Sequence, residues 1–308
     1  MGIDGGGTRT RCALGDEMRI LGTAIAGASN VVRVGDVPAR EALHASVREA
    51  CATARISPDR IANICIGAAG AARPEIAGKV QRILEELTSA SIEVVGDTLI
   101  ALEAAFANGA GVIVIAGTGS IAYGRDATGR TCRAGGWGYA ISDEGSGHWI
   151  GHGAISAILR ARDAGQHTAL EPLVLAAWHL HAFDELVQAA NSQPPPDFPR
   201  LFPVVLKAAA EGDPSAHSLL TEAGTQLAGL TANVISRLTP HSPYAPVAMT
   251  GSVFRQSTEV RQVFYNVLRA LFPGLDVRNE LVEPVEGALA RARRMGAAKA
   301  GESDGLGK

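Results

Sequence analysis

The chain has 308 residues, 46% of them hydrophobic and 19% charged, a composition typical of a globular protein with one large or two medium domains. Its formal net charge of −3 gives no electrostatic reason to expect nucleic acid or an anionic membrane as a partner. The four cysteines form no CxxC pair, so neither a disulfide framework nor a zinc or iron–sulfur site is expected. No apolar run approaches the roughly 20 residues of a membrane helix, and no signal peptide precedes Asp4, so a cytoplasmic protein is expected.

The first half of the chain begins with a short strand and a glycine-rich turn. Only three residues precede Asp4, which stands directly before Gly5-Gly6-Gly7-Thr8, so the first strand is expected to be short. Glycines let a chain turn sharply and bring backbone N–H groups close to a ligand, which makes such a turn a suitable seat for phosphate oxygens. The pattern that follows predicts strands and helices in alternation, at 9–14, 19–26, 38–54, 61–66, 74–87, 92–95 and from 97 to about 107.

The second half begins in the same way. The apolar run 112–115 has the length and β-branched content of a buried strand, and it leads into the turn Gly117-Thr118-Gly119-Ser120. A two-stranded meander is predicted next, at 121–125 and 130–134. A glycine turn that opens a meander occurs twice, which predicts an internal duplication of the βββαβα kind with two halves facing one nucleotide.

The remainder of the chain is expected to be mostly helical. A third glycine turn, Thr250-Gly251-Ser252, follows a predicted strand at 246–249. Three consecutive prolines in the stretch 191–199, with a fourth at its end, exclude a helix interior and predict an extended surface loop. The pattern predicts helices at 146–162, over most of 164–230, at 257–271 and at 285–298, and a disordered tail at 299–308. Strands alternating with helices indicate an α/β protein with a largely parallel sheet in each half.

Two aspartates stand where predicted strands end. Asp4 could simply stabilise its turn, or it could anchor Mg²⁺-bound water beneath the phosphates of a nucleotide, because hard cations prefer carboxylate oxygens. Asp97 could be a helix N-cap, or a general base that takes the proton from a sugar hydroxyl during phosphoryl transfer. The two roles of Asp97 are compatible, because ligands of open α/β sheets bind at the carboxyl ends of the strands.

A third candidate region combines small residues with one large ring. The stretches 135–138 (GGWG) and 142–146 (SDEGS) could form a tight bend, with Trp137 in the core and Asp143 as a helix cap. They could instead form a sugar platform, in which the carboxylate of Asp143 accepts hydrogen bonds from adjacent ring hydroxyls. Asn30 could likewise bind a hydroxyl or an amide, or be an exposed turn residue.

Other patterns weigh against particular classes of site. His148 and His152 have the i, i+4 spacing of a zinc pair, but no glutamate lies between them and no third ligand is evident, so packing beside the substrate pocket is favoured. Arg9 and Arg255 are candidate phosphate neighbours or solvated arginines. The sequence lacks GxxxxGK[ST], and GxGxxG is absent at the turns, which argues against a P-loop NTPase and a dinucleotide-binding fold.

Six ordered motifs carry a resemblance to a known family; they are DGGGTRT at 4–10, GD at 96–97, GTGS at 117–120, GGWG at 135–138, SDEGS at 142–146 and TGSVF at 250–254. Through them residues 2–294 resemble the BadF/BadG/BcrA/BcrD-type ATPases, and within these the N-acetylglucosamine kinases of the sugar kinase, heat-shock chaperone and actin superfamily. The resemblance implies two duplicated ribonuclease H-like (actin-like ATPase) βββαβα domains with a cleft between them. It divides the chain at 1–110 and 111–298, with the C-terminal helix returning to the first domain.

The resemblance also implies roles for individual residues. Asp97 would be the catalytic base, and Asp4 would hold Mg²⁺ through water. Phosphate contacts are implied for Asp4, Gly6, Gly7, Thr8, Gly117, Thr118, Gly119 and Ser120, and adenosine contacts for Gly251 and Ser252. Sugar contacts are implied for Asn30, Gly70, Gly136, Trp137 and Asp143. The implied enzyme is a homodimer that uses ATP and Mg²⁺ to phosphorylate the 6-hydroxyl of N-acetylglucosamine or a close relative.

Three other functions remain open from the sequence. A kinase of the same fold could instead act on glucosamine or N-acetylmuramic acid. It would differ only in whether its pocket accepts or rejects the 2-acetamido and 3-lactyl groups of the sugar. An ATPase activator of a partner enzyme would hydrolyse ATP without a sugar; it is disfavoured because the cluster-binding cysteines of such relatives have no clear counterpart. A sugar-responsive repressor would need an appended helix-turn-helix, for which Asp4 lies too near the start.

Overall fold

The chain folds into two α/β units. The computed structural model describes residues 1–239 and 244–305. The first unit comprises Met1–Gly109 together with the residues from Val282 onward, and the second comprises Ala110–Leu281. The first unit is therefore built from both ends of the chain, and the second is one continuous segment.

The described residues contain ten strands: β1 Gly2–Gly5, β2 Thr10–Gly15, β3 Ile20–Ala26, β4 Asn63–Ala68, β5 Ser91–Gly96, β6 Gly111–Ala116, β7 Ser120–Arg125, β8 Thr131–Gly135, β9 Val247–Thr250 and β10 Val277–Leu281. The same part of the chain contains twelve α-helices: α1 Val31–Val34, α2 Asp36–Ala54, α3 Pro74–Glu85, α4 Asp97–Phe106, α5 Gly147–Asp163, α6 Leu170–Ala177, α7 Phe183–Ala190, α8 Phe202–Ala210, α9 Pro214–Leu238, α10 Ser252–Gln256, α11 Thr258–Leu271 and α12 Pro284–Gly305.

The two sheets have the same topology. In the first unit the strand order is β3-β2-β1-β4-β5, with β1, β2 and β3 antiparallel and β4 and β5 parallel to β1. In the second unit the order is β8-β7-β6-β9-β10, again with an antiparallel meander followed by two parallel strands. The predicted duplication of a βββαβα unit is therefore confirmed.

Helix α12 packs against the sheet of the first unit at unusually short range. A Cβ atom added to Gly287 would lie 2.0 Å from the carbonyl oxygen of Ile100 in α4, and one added to Gly2 would lie 2.2 Å from the backbone nitrogen of Leu289. Only glycine permits such backbone approaches. These contacts fix α12 against both α4 and β1.

A charged cluster joins the same two helices. Glu103 of α4 is buried, and its carboxylate pairs with Arg291 and Arg294 of α12, while Arg291 also pairs with Glu93 of β5. A buried carboxylate is stable only when such partners compensate its lost hydration. The cluster therefore constrains how α4, whose first residue is Asp97, can lie on the sheet.

The second unit has the larger apolar core. Its valines from β6, β9 and β10 cluster with apolar side chains of α5, α9 and α11, and among its fully buried side chains are Ile150, Ile158, Phe254 and Phe264. This core holds the carboxyl ends of β6 and β9 in place. Those strand ends carry the two glycine turns of this unit.

Several local features differ from the sequence-based expectation. Gly96 is the N-cap of α4, so Asp97 is its first helical residue and not its cap. Ser146 caps α5 by accepting from the backbone N–H of Trp149, so Asp143 is not the cap there. The strand β10 was not predicted. The predicted tail 299–308 overlaps the end of α12 as far as Gly305 and otherwise lies outside the described residues.

Candidate active site

Strand register brings Asp4 and Asp97 to the same edge of the first sheet. Asp4 is paired in register with Gly67 of β4, which is paired with Val95 of β5, and Asp97 follows two residues later. The three strands are parallel and adjacent, and neighbouring strands lie about 4.8 Å apart, so the ends of β1 and β5 are separated by roughly 10 Å. The two carboxylates therefore flank one small region beyond the strand ends.

The electrostatics of this region disfavour two bare negative charges. Burial, together with the negative charge of Asp97, raises the pKa of Asp4 to about 6, although Arg11 and Arg9 act in the opposite direction. The pKa of Asp97 is also raised by burial, with an opposing hydrogen bond from the backbone N–H of Thr98 at 2.9 Å. A carboxylate pair of this kind gains from a nearby cation, so these donors fit Mg²⁺ held through water at Asp4.

The first glycine turn is fixed by backbone hydrogen bonds. The N–H of Gly6 donates to the carbonyl of Arg9 at 3.1 Å, and a Cβ on Gly6 would lie 2.7 Å from that same oxygen. The carbonyl of Gly6 accepts from the N–H groups of Ser29 and Asn30 at 3.2 and 3.3 Å. The remaining turn residues, Gly7 and Thr8, are partly or fully exposed, as a ligand-binding loop requires.

Two candidate sugar contacts of the first unit lie beside this turn. Asn30 is the N-cap of α1, and its side-chain oxygen accepts from the N–H of Val32 at 3.0 Å, which leaves the side-chain NH₂ group to donate. Gly70 has a positive φ of 81°, and a Cβ there would lie 3.7 Å from Cγ2 of Val32. The turn after β4 and the start of α1 are therefore neighbours.

The second glycine turn lies at the edge of the second sheet. The N–H of Gly117 donates to the carbonyl of Gly119 at 2.9 Å and closes the turn between β6 and β7. Gly251, at the end of β9, has a φ of 110°, and a Cβ there would lie 2.2 Å from the carbonyl oxygen of Ala116. Ser252 begins α10 beside this contact. Only glycine fits between the two strand ends, because both the conformation and the space exclude a side chain.

Residues 135–146 lie beside the same edge of the second sheet. Trp137 is 63% exposed and therefore is not a core residue; the guanidinium of Arg133 lies over its ring, 4.1 Å from the centroid. Gly136 has a φ of 68°, and a Cβ there would lie 2.6 Å from Cδ1 of Ile121. Asp143 is only 7% exposed, and burial raises its pKa.

A cavity of about 440 Å³ adjoins this region between β8 and α9. Its polar lining includes Arg133, Ser142, Glu144, Asn233 and Arg237, and Trp137 lies at its margin. Arg133 and Arg237 could not be identified from the sequence, because neither belongs to a motif and their proximity depends on how α9 packs beside β8.

His148 and His152 belong to an aromatic cluster. Their rings stack with centroids 6.5 Å apart, and both meet the edge of Phe198, at 5.3 and 5.2 Å. Tyr139 lies 5.0 Å from His148. Within the described residues, no group of three or more His, Cys, Asp or Glu side chains is arranged to hold a metal ion.

The two candidate arginines are both exposed, Arg9 beside the first glycine turn and Arg255 in α10.

Among helices in the described part of the chain, none combines the length and apolar character needed to cross a membrane.

Two duplicated βββαβα units, each with a glycine turn after its first strand, have the architecture of the actin-like ATPase fold. The model of the BadF/BadG/BcrA/BcrD ATPase family matches residues 1–292, and the chain belongs to that family. The resemblance read from the six motifs is thereby confirmed, and ATP is the nucleotide that the family implies.

Two characterised relatives and one solved structure are similar over nearly the whole chain. An N-acetylmuramic acid/N-acetylglucosamine kinase of Clostridium acetobutylicum is 30% identical over 95% of this chain and 97% of its own. An N-acetyl-D-glucosamine kinase of Dictyostelium discoideum is 27% identical over 94% and 95%. The structure of a candidate N-acetylglucosamine kinase from Chromobacterium violaceum is 28% identical, with a TM-score of 0.74 over 94% and 96%.

Proposed function

We propose that this protein is an ATP-dependent amino-sugar kinase that phosphorylates the 6-hydroxyl of N-acetylglucosamine or a close relative. The observation that carries the proposal is the position of Asp97 at the carboxyl end of β5, on the same sheet edge as Asp4 and the first glycine turn. The kinase relatives, similar over at least 94% of this chain, support the same activity.

Asp97 is assigned the role of general base. Its burial raises its pKa and so makes the carboxylate a stronger base than an exposed aspartate. It accepts the proton of the sugar hydroxyl as that oxygen attacks the γ-phosphorus, late in a loose transition state. Assistance of this kind is typically worth about 10²–10⁴-fold in rate.

The glycine turns are assigned to the phosphates of ATP. Gly7 and Thr8 in the first unit would offer backbone N–H groups to phosphate oxygens, and Gly6, whose own N–H donates to Arg9, would let the turn approach the phosphates closely. The contacts assigned in the second unit come from Gly117, Thr118, Gly119 and Ser120, with adenosine contacts from Gly251 and Ser252. Asp4 would hold Mg²⁺ through water; when bound, the ion offsets the charge that develops on the phosphates.

Candidate sugar contacts are assigned in each unit by itself. In the first unit the NH₂ group of Asn30 donates to a hydroxyl or to the acetamido oxygen, and the positive φ of Gly70 keeps its loop clear of a side chain. In the second unit the assigned contacts are Gly136, Trp137 and Asp143. An exposed indole ring suits the apolar face of a sugar.

N-Acetylmuramic acid is a second candidate substrate. Its 3-lactyl group carries a carboxylate, and the cavity beside Trp137 has Arg133 and Arg237 in its lining. Arginine is well suited to bind a carboxylate through two parallel hydrogen bonds. Glucosamine differs by lacking the acetyl group, and no described feature of this chain favours it over the acetylated sugars.

The test is ADP release from Mg·ATP, measured by a coupled assay without sugar and with N-acetylglucosamine, N-acetylmuramic acid, glucosamine or glucose. We expect strong stimulation by an N-acetylated amino sugar, and analysis of the product should place the phosphate on the 6-oxygen. Hydrolysis that is independent of sugar would contradict the proposal and favour an ATPase activator of a partner enzyme.

The family resemblance also supports a homodimer that acts in the cytoplasm. Sedimentation equilibrium of the purified protein tests the first property, and cell fractionation tests the second.

A further inference from the structure

The second glycine turn, 117–119, and the first residue of β7 are joined to the segment 143–148 by hydrogen bonds along their whole length. The N–H of Gly147 donates to the carbonyl of Gly117 at 2.8 Å, and the N–H of His148 donates to that of Thr118 at 3.1 Å. The hydroxyl of Ser120 donates to the carbonyl of Glu144 at 2.7 Å. The turn is therefore held on a second backbone segment as well as by its own strands.

The side chain of Asp143 lies among these contacts. Burial raises the pKa of its carboxyl, and the backbone of Ser120, the first residue of β7, and that of Gly138, in the GGWG segment, oppose this rise. A Cβ atom on Gly119 would lie 2.7 Å from Oδ2 of Asp143. The carboxylate thus lies directly against the backbone of the turn, and it is almost fully buried.

The backbone conformation of Asp143 is consistent with such a constraint. Its φ is 77°, a region that non-glycine residues adopt uncommonly and at some cost in free energy. This conformation places the carboxylate of Asp143 against the backbone of Gly119.

We infer that Asp143 is a positioning residue for the nucleotide: its carboxylate joins the GGWG segment to the second phosphate turn and holds that turn in its ATP-binding shape before any sugar binds. The inference rests on the proposed assignment of this turn to ATP phosphates. It goes beyond a direct sugar contact, because the carboxylate of Asp143 lies against the backbone of the phosphate turn at Gly119. The same carboxylate would then transmit a shift of the GGWG segment to the phosphate turn.

The test is the affinity for Mg·ATP in the absence of sugar, measured by titration calorimetry with a non-hydrolysable ATP analogue. Asp143→Asn keeps the shape of the side chain but removes its negative charge and can place an NH₂ group against the backbone of the turn. We expect its Kd for the analogue to rise about tenfold or more. Asp163→Asn, at the exposed end of α5, is the matched control and should bind as the wild type does.

A role confined to the sugar predicts a different result. The KM for the sugar would rise in Asp143→Asn while the sugar-free Kd for the nucleotide stayed at the wild-type value, and that outcome would overturn the inference. Circular dichroism and thermal unfolding of each variant establish that the comparison concerns folded protein.

A double-mutant cycle with Gly119→Ala adds an independent readout. The new methyl group must displace the carboxylate of Asp143, so Gly119→Ala alone should weaken nucleotide binding. In the background of Asp143→Ala there is no carboxylate to displace, and the further loss should be clearly smaller. Additive effects in the cycle would contradict a direct contact between the two residues.

Failure of this inference and failure of the kinase proposal are distinguishable. If the wild type binds the analogue and Asp143→Asn binds it equally well, the kinase proposal stands and the positioning role is refuted. If the wild type does not bind nucleotide at all, the assignment of the turn to ATP is refuted together with this inference.

Discussion

Asp97 combines three properties that a general base needs: a fixed backbone position, partial burial and a raised pKa. We predict that Asp97→Asn lowers kcat at least about 100-fold, because the amide cannot accept the hydroxyl proton, while affinity for the sugar changes little. Steady-state kinetics and equilibrium sugar binding measure the two effects. Asp36→Asn, an exposed aspartate of the same unit, is the control; a kcat above about a tenth of wild type in Asp97→Asn would refute the role.

The pKa of Asp4 predicts how stability depends on pH. The carboxyl has a pKa of about 6 in the folded chain and 3.8 as its ordinary value, so between these values the folded state binds more protons than the unfolded state. Stability of the ligand-free protein should therefore fall as pH rises from 4 to 6, by at most about 3 kcal/mol from this group, and then level off.

Denaturant unfolding of the wild type and of Asp4→Asn across pH 4–7.5 tests this dependence. The variant has no group to titrate at this position, so its stability relative to the wild type should increase with pH. Equal pH dependence in the two proteins would show that Asp4 titrates normally.

At the scale of elements, the crossing of α12 and α4 depends on one glycine. Gly287→Ala should destabilise the protein by about 1–3 kcal/mol or more, because its Cβ would lie 2.0 Å from the carbonyl oxygen of Ile100, a backbone atom that cannot turn aside. Gly229→Ala in α9 is the matched control, since nothing lies within 4 Å of its Cβ, and it should stabilise the protein slightly. Equal effects of the two substitutions in urea unfolding would contradict the close crossing.

The elements also show which features a sequence can predict. Glycine turns and alternating apolar runs identified nine of the ten described strands, because turn chemistry and side-chain periodicity are local properties. The strand β10 (VRNEL) was missed because it lies at the sheet edge and its middle residues, Arg278, Asn279 and Glu280, are exposed, so it lacks an apolar run.

Features of the candidate site that depend on tertiary contacts were harder to predict from the sequence. The motifs led to Asp143, but its contact with Gly119 depends on how α5 and β6 pack, and nothing in the local sequence indicates it. Trp137 was read as a possible core residue because large rings are usually buried, whereas the structure exposes it under Arg133. The local sequence pattern identifies the candidate residues, whereas tertiary packing determines which groups they contact.

At the scale of the whole molecule, the first unit is completed by a segment that is remote in sequence. Ala288 and Ala292 of α12 pack with Cys65 and Ile100, and this small cluster requires both parts of the chain. We predict that residues 110–281, produced alone, fold cooperatively, because their core is formed within that segment. Residues 1–109 produced alone should lack a cooperative unfolding transition.

Circular dichroism and denaturant titration of the two fragments measure this difference. Mixing residues 1–109 with a peptide of residues 282–305 should restore a cooperative transition in the first fragment. Cooperative unfolding of 1–109 without the peptide would show that α12 is dispensable for this unit.

The discontinuity of the first unit has a consequence for synthesis on the ribosome. The helix that carries Asp97 emerges early, but its buried Glu103 meets Arg291 and Arg294 only after the whole second unit has been translated, an interval of roughly ten to forty seconds. The nascent chain therefore completes the second unit first. The half that bears the proposed base closes last, so a polypeptide released before α12 would be unable to assemble the catalytic end of the molecule.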